Sequence, residues 1–168
     1  MKTAIAVSVA AVVCLGLLAV SAPAWAATDQ ETLTINATVS AKAKLTLGEA
    51  AINFPDADPD TDPTIAASEN PVSVAVKAQT GGASSVTLTV QANGDLDSGT
   101  DTIAITNVSW TAAGAGFVAG TMDTTPQSAG SWTGSGQQNG TFSYFLANSW
   151  NYAAGNYTQT VVYTLTAP

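Results

Sequence analysis

The stretch from Ala153 to Pro168 constrains the fold most, because Tyr157, Gln159, Val161, Tyr163 and Leu165 alternate there with Thr158, Thr160, Val162, Thr164 and Thr166. A period of two places each set on its own face of a β-strand. This strand runs to the end of the sequence, at the point where a β-sandwich normally takes one more strand.

Most of the remaining chain reads in the same period. Leu33, Ile35, Ala37 and Val39 alternate with Thr32, Thr34, Asn36 and Thr38, and a short run from Lys44 to Leu47 leads through Gly48 to Ile52 and Phe54. Val72, Val74 and Val76 form one strand and Val86, Leu88 and Val90 another, with Thr80-Gly81-Gly82 between them; that spacing predicts a hairpin with a loop of several residues. Ile103, Ile105, Val108 and Trp110 continue the signal, followed by a weak strand at 131–133 and a stronger one at 141–147. No segment carries a helical period. Many short strands with threonine on the solvent face predict an all-β, antiparallel β-sandwich of immunoglobulin-like type. Gly155-Asn156-Tyr157 fits the tyrosine corner of such sandwiches, with the hydroxyl bonding back to the preceding corner; a plain packed aromatic is the other reading.

At the amino end, Lys2 precedes a nearly uncharged run from Ala4 to Val20, and Ala24-Trp25-Ala26 fits the small-x-small rule for signal peptidase. The expectation is a signal peptide over 1–26, no membrane insertion after cleavage, and a single domain over 27–168 with an amino-terminal arm at 27–40. The exported part retains Lys42, Lys44 and Lys77 against all 12 acids, so its net charge is 3 − 12 = −9. Such a surface repels phosphate backbones and anionic lipid, which argues against nucleic acid as a partner. The single cysteine, Cys14, falls in the leader, so packing and backbone hydrogen bonds must hold the domain without a disulfide.

The sequence contains no histidine and no arginine, which removes the usual general base, metal nitrogen and bidentate anion clamp together. No local motif marks a serine–lysine or carboxylate pair. The expectation is a protein that is not an enzyme.

Two binding sites compete with that bland reading. Asp58, Asp60, Asp62 and Glu69 stand at the first, third, fifth and twelfth positions of a calcium loop, but Pro63 occupies the sixth, where the sharp turn needs glycine. A looser calcium site and a solvated acidic connection both remain, with Asp95, Asp97 and Asp101 as a second group. Trp132 and Trp150, flanked by small polar residues, are candidates for a carbohydrate platform, whereas Trp110 and Tyr144 alternate as core residues do.

The arm Leu33 to Val39, the Ile52-x-Phe54 step and the final Ala154-Gly155-x-Tyr157-x-x-x-Val161-x-Tyr163 strand together resemble pilin subunits of chaperone–usher systems, closest to the spore-coat-U-like or archaic fimbrial branch. The match covers about a third of the exported chain at its two ends. It implies an incomplete sandwich whose missing strand is supplied first by a periplasmic chaperone and then, at an outer-membrane usher, by the arm of another copy or a related subunit. On that resemblance Leu33, Ile35, Ala37 and Val39 are the donor strand, and Tyr157, Val161, Tyr163 and Leu165 are the acceptor edge. The protein would pass through the periplasm to the cell surface as a structural, adhesive component. This chain departs from the family in lacking the common disulfide and in carrying Pro55 where a glycine often follows the phenylalanine. Spacing alone leaves two readings open: the arm pairs in trans, or it is the first strand of its own complete domain. A free-standing secreted module that binds calcium or carbohydrate is the alternative function.

Overall fold

A computed structural model describes residues 28–168. The signal-peptide and cleavage expectations lie outside the described residues. The sandwich belongs to the unit Thr38–Pro168.

Its strands are β1 Lys42–Leu47, β2 Thr64–Ala66, β3 Val72–Gln79, β4 Ser85–Ala92, β5 Leu96–Asp97, β6 Thr102–Ile103, β7 Val108–Ala113, β8 Gly120–Thr121, β9 Gln127–Thr133, β10 Gly136–Ala147 and β11 Val161–Thr166. One 3-10 turn, Ile105–Asn107, joins β6 to β7. The first sheet runs β1-β3-β10-β7-β8, with β2 also paired to β10; the second runs β11-β4-β9, and β5 and β6 form a small ribbon. All the ladders are antiparallel. The chain is therefore an all-β sandwich, as its alternation predicts.

The expected hairpin does not form. The valine strands β3 and β4 are consecutive but do not form a hairpin, since β3 pairs with β1 and β10 while β4 pairs with β11 and β9. The connection at 80–84 instead crosses from one sheet to the other. Val72, Val74 and Val76 of β3 and Val86, Leu88 and Val90 of β4 are all buried. A hairpin would have set these apolar faces side by side in one sheet, whereas the crossing lets them face each other through the core, where burial is more complete.

This crossing defines the two ends of the sandwich. At the turn end lie the finish of β3, the start of β4, the start of β1 (Lys42 opposite Gln79), the start of β10 (Gly136 opposite Ala78) and the finish of β11 (Thr166 opposite Thr87). The far end holds the finish of β1, β4 and β10 and the start of β11 (Val161 opposite Ala92).

Phe142 on β10 is fully buried at the centre of the core. It meets Trp110 and Phe117 edge-on at centroid distances of 6.5 and 5.7 Å and stacks on Tyr163 of the second sheet at 6.0 Å. The buried Trp110 indole donates to the Val118 carbonyl at 2.7 Å. Asn70 acts as a strand by proxy: its Nδ2 donates to the Tyr144 carbonyl at 2.7 Å and its Oδ1 accepts from the Tyr144 N–H at 2.8 Å. The second bond satisfies the Tyr144 N–H of β10, which would otherwise be costly to bury, and the first joins the Ala67 N–H, 3.0 Å away, on the Tyr144 carbonyl.

Candidate functional site

The second sheet has two edges, and they are finished in different ways. Beside β9, the Val118 N–H donates to the Ala129 carbonyl at 3.0 Å and the Ser131 N–H to the Gly116 carbonyl at 2.9 Å. Phe117 and Gly130 bridge there, and Phe117 packs edge-on against Trp132 at 4.9 Å. Gly116 has φ +80 and Gly130 lies under the Trp132 ring, so the close approach leaves no room for a Cβ at either place.

The other margin is open. Among the described residues β11 is an edge strand paired only with β4, and the neighbouring edge strand β1 belongs to the first sheet. Leu45 and Leu47 of β1 and Tyr163 and Leu165 of β11 are half-buried against the core, while Val161 and Val162 are 39% and 49% exposed. An unpaired edge flanked by partly buried apolar side chains is a template for another strand. Of the predicted acceptor residues, Val161, Tyr163 and Leu165 lie on β11; Tyr157 lies before it, half-buried, with its hydroxyl donating to the Ala153 carbonyl at 2.7 Å.

Tyr163 is tied into the core by an interaction the sequence did not announce. Its hydroxyl and that of Tyr144 lie 2.7 Å apart, joining the two sheets. Burial raises both hydroxyls above their ordinary value of 10.0, and for Tyr163 the neighbouring Tyr144 adds to the effect. Both are therefore neutral at physiological pH.

The predicted donor residues lie in a stretch without strand structure, since 28–41 forms no ladder among the described residues. Leu33, Ile35 and Val39 are 83%, 85% and 74% exposed, and Ala37 is exposed as well. Large apolar side chains at such exposure, spaced by two, are unusual for a stretch with no partner.

The remaining candidates are dispersed. Glu69 accepts from the Asn53 N–H and Nδ2, each at 2.7 Å, and these bonds hold its carboxyl below the usual range. Asp58 Oδ1 caps its own turn by accepting from the Asp60 N–H at 2.9 Å, and the Asp62 carbonyl accepts from Asn148 Nδ2 at 3.0 Å. Asp95 and Asp97 likewise accept from the backbone N–H groups of Ile105 and Gly99. Among the described residues, no three such side chains gather to hold a metal ion. Trp132 is a packing residue, half-buried against Phe117 with its indole N–H on the Ala115 carbonyl at 2.8 Å, which corrects its assignment to a surface platform. Trp150 is 68% exposed and donates to Asp60 Oδ1 at 3.0 Å. The two tryptophans sit at opposite ends of the sandwich, Trp132 opposite Val86 near the turn end and Trp150 just past the finish of β10, so they cannot form one platform.

Among the described residues, no helix is long and apolar enough to cross a membrane. No protein-family model matches the chain, and no curated protein matches it.

Proposed function

We propose that this protein is a structural subunit of an extracellular filament or surface layer, assembled by strand exchange between copies, and that it is not an enzyme. The observation that supports this most is the pairing of an open margin with an arm that has no partner among the described residues: β11 and β1 leave Leu45, Leu47, Tyr163 and Leu165 half-covered, while Leu33, Ile35 and Val39 stand exposed at a spacing of two. A strand laid along β11 would satisfy its free backbone groups, and its alternate side chains would fill the space between the sheets. Burying each of Leu33, Ile35 and Val39 would contribute about 1.5–3 kcal/mol. Export would remove 1–26, and a periplasmic chaperone and an outer-membrane usher would keep the margin covered until the arm of the next copy arrives.

Urea melts of the exported chain with and without a synthetic peptide covering Thr32 to Ser40 test the reading. Peptide at 100 times its Kd should stabilise the fold by about 2.7 kcal/mol. Ile35→Asp should abolish polymer formation yet leave a sandwich that still accepts the wild-type peptide, because a carboxylate buried without a partner costs more than one apolar contact returns. A monomer that unfolds cooperatively, ignores the peptide and never polymerises would be a self-sufficient secreted module instead. One observation favours that second reading in a carbohydrate-binding form: the exposed Trp150 ring is held in place by Asp60. Trp150→Ala would then abolish glycan binding without changing assembly.

A further inference from the structure

The sandwich is electrically polar along its strands. Its three lysines all lie toward the turn end: Lys42 and Lys44 open β1, and Lys44 stands directly opposite Lys77 of β3. Like charges paired across a ladder repel. The neighbours that share their face, Gln79 and Ala75 on β3 and Gln137 and Asn139 on β10, offer no carboxylate to offset this. The acids lie at the other end. Of the 12 in the sequence, Asp29 and Glu31 belong to the arm, and the remaining 12 − 2 = 10 fall in far-end connections. Glu49 follows β1, Asp56 to Asp62 and Glu69 lie between β1 and β3, and Asp95, Asp97, Asp101 and Asp123 surround the finish of β4.

We propose that successive copies meet end to end, the lysine end of one subunit docking on the acidic end of the copy whose open margin holds its arm, and that this contact selects the direction in which the arm enters. The inference rests on the strand-exchange reading above and adds a second interface to it. If the arm runs antiparallel to β11, Val39 arrives at the far end of the acceptor. Lys42 follows only 42 − 39 = 3 residues later, a span of about 10 Å. The incoming lysines are thereby delivered to Glu49 and Asp97, which flank the two sides of the open margin at that end. The same orientation carries Asp29 and Glu31, at the start of the arm, to the acceptor's own lysine end. Reversing the arm would set lysines against lysines and the arm's carboxylates against the acidic end. Both contacts thus favour one direction and disfavour the other, as charge patterning does at specific interfaces.

The test follows assembly of the exported chain by light scattering at about 20 mM and about 500 mM salt, where screening lengths differ several-fold. Wild-type assembly should be roughly 10-fold slower at high salt. Lys42→Glu with Lys44→Glu should remove that salt dependence and slow assembly at low salt by a similar factor. Acceptors carrying Glu49→Lys with Asp97→Lys should restore the rate for that variant and slow it for wild type. Lys42→Gln with Lys44→Gln, checked by urea melting for an unchanged fold, guards against a folding defect and should fall between. A synthetic peptide covering residues 32–40 reports on the open margin alone, and its binding should be indifferent to these body charges. If the peptide binds and copies polymerise at rates unmoved by charge reversal or salt, the end-to-end contact is wrong and strand exchange stands. If the peptide does not bind and no polymer forms, both fail.

Discussion

At the β9 margin the segment Gly116–Val118 bonds the last strand of the second sheet, with Phe117 and Trp132 packed over it, whereas at the β11 margin two edge strands from different sheets lie next to each other with half-covered leucines and tyrosines. Both margins face the same physical problem, a row of unpaired N–H and C=O groups beside apolar side chains. At the first, a nearby loop solves it within the domain, and the cost is conformational: a glycine at positive φ and another beneath an indole ring. The second has no such cover among the described residues. The contrast teaches that an open edge here is a local feature of one margin and not a general looseness of the fold, since the core between the margins is closed around Phe142.

The largest expected effect tests the closed margin. Phe117→Ala should cost about 3–5 kcal/mol in urea unfolding of the isolated subunit, because the ring contacts both Phe142 and Trp132. If Leu165→Ala, on the open margin, cost as much as Phe117→Ala in the absence of any partner, the distinction between the margins would collapse.

A smaller effect sharpens the comparison at the tie between sheets. Tyr163→Phe leaves the buried Tyr144 hydroxyl without its partner and should cost about 1–2 kcal/mol. The pH dependence has a defined sign. Folding raises both hydroxyls above 10.0, so their contribution is fully present below that pH and is lost as the pH rises through and beyond it. Thermal melts of wild type should fall above about pH 10, and those of Tyr163→Phe should fall less steeply.

The smallest expected effect concerns the connection between β1 and β3. Asn53 holds the Glu69 carboxyl below 4.5, so the stabilisation it gives is present above that pH and disappears as the pH falls through the depressed folded value. Glu69→Gln should flatten the acid side of a melting-temperature profile while leaving the alkaline side unchanged.

The alternation of Val72 to Val76, Val86 to Leu88 and Val161 to Leu165 made the strands readable, because burial on one face of a pleat writes itself into every second residue. Their pairing was not readable. Period-two patterns are the same whether two strands share a sheet or face each other across a core, and Thr80-Gly81-Gly82 permits either course. Trp132 was misread because its chain neighbours are small and polar, while the residues that accommodate its ring, Gly116 and Gly130, are distant or inconspicuous in sequence. The Tyr144–Tyr163 contact joins side chains from different sheets and leaves no local trace. The spacing of Asp58, Asp60 and Asp62 suggested a common ligand, but the three carboxylates take separate partners, Asp58 the Asp60 N–H, Asp60 the Trp150 indole and Asp62 the Thr61 hydroxyl.

The β4–β11 ladder, registered from Val161 opposite Ala92 to Thr166 opposite Thr87, also determines how the domain bears a mechanical load. A pull along the axis of β11 strains all of its rungs at once, in shear, so none can fail before the others share the force. A pull across that axis peels the rungs one at a time. The same strand therefore resists tension along its length better than sideways tearing, and the stacking of Tyr163 on Phe142 is one more contact that such a pull must slide apart.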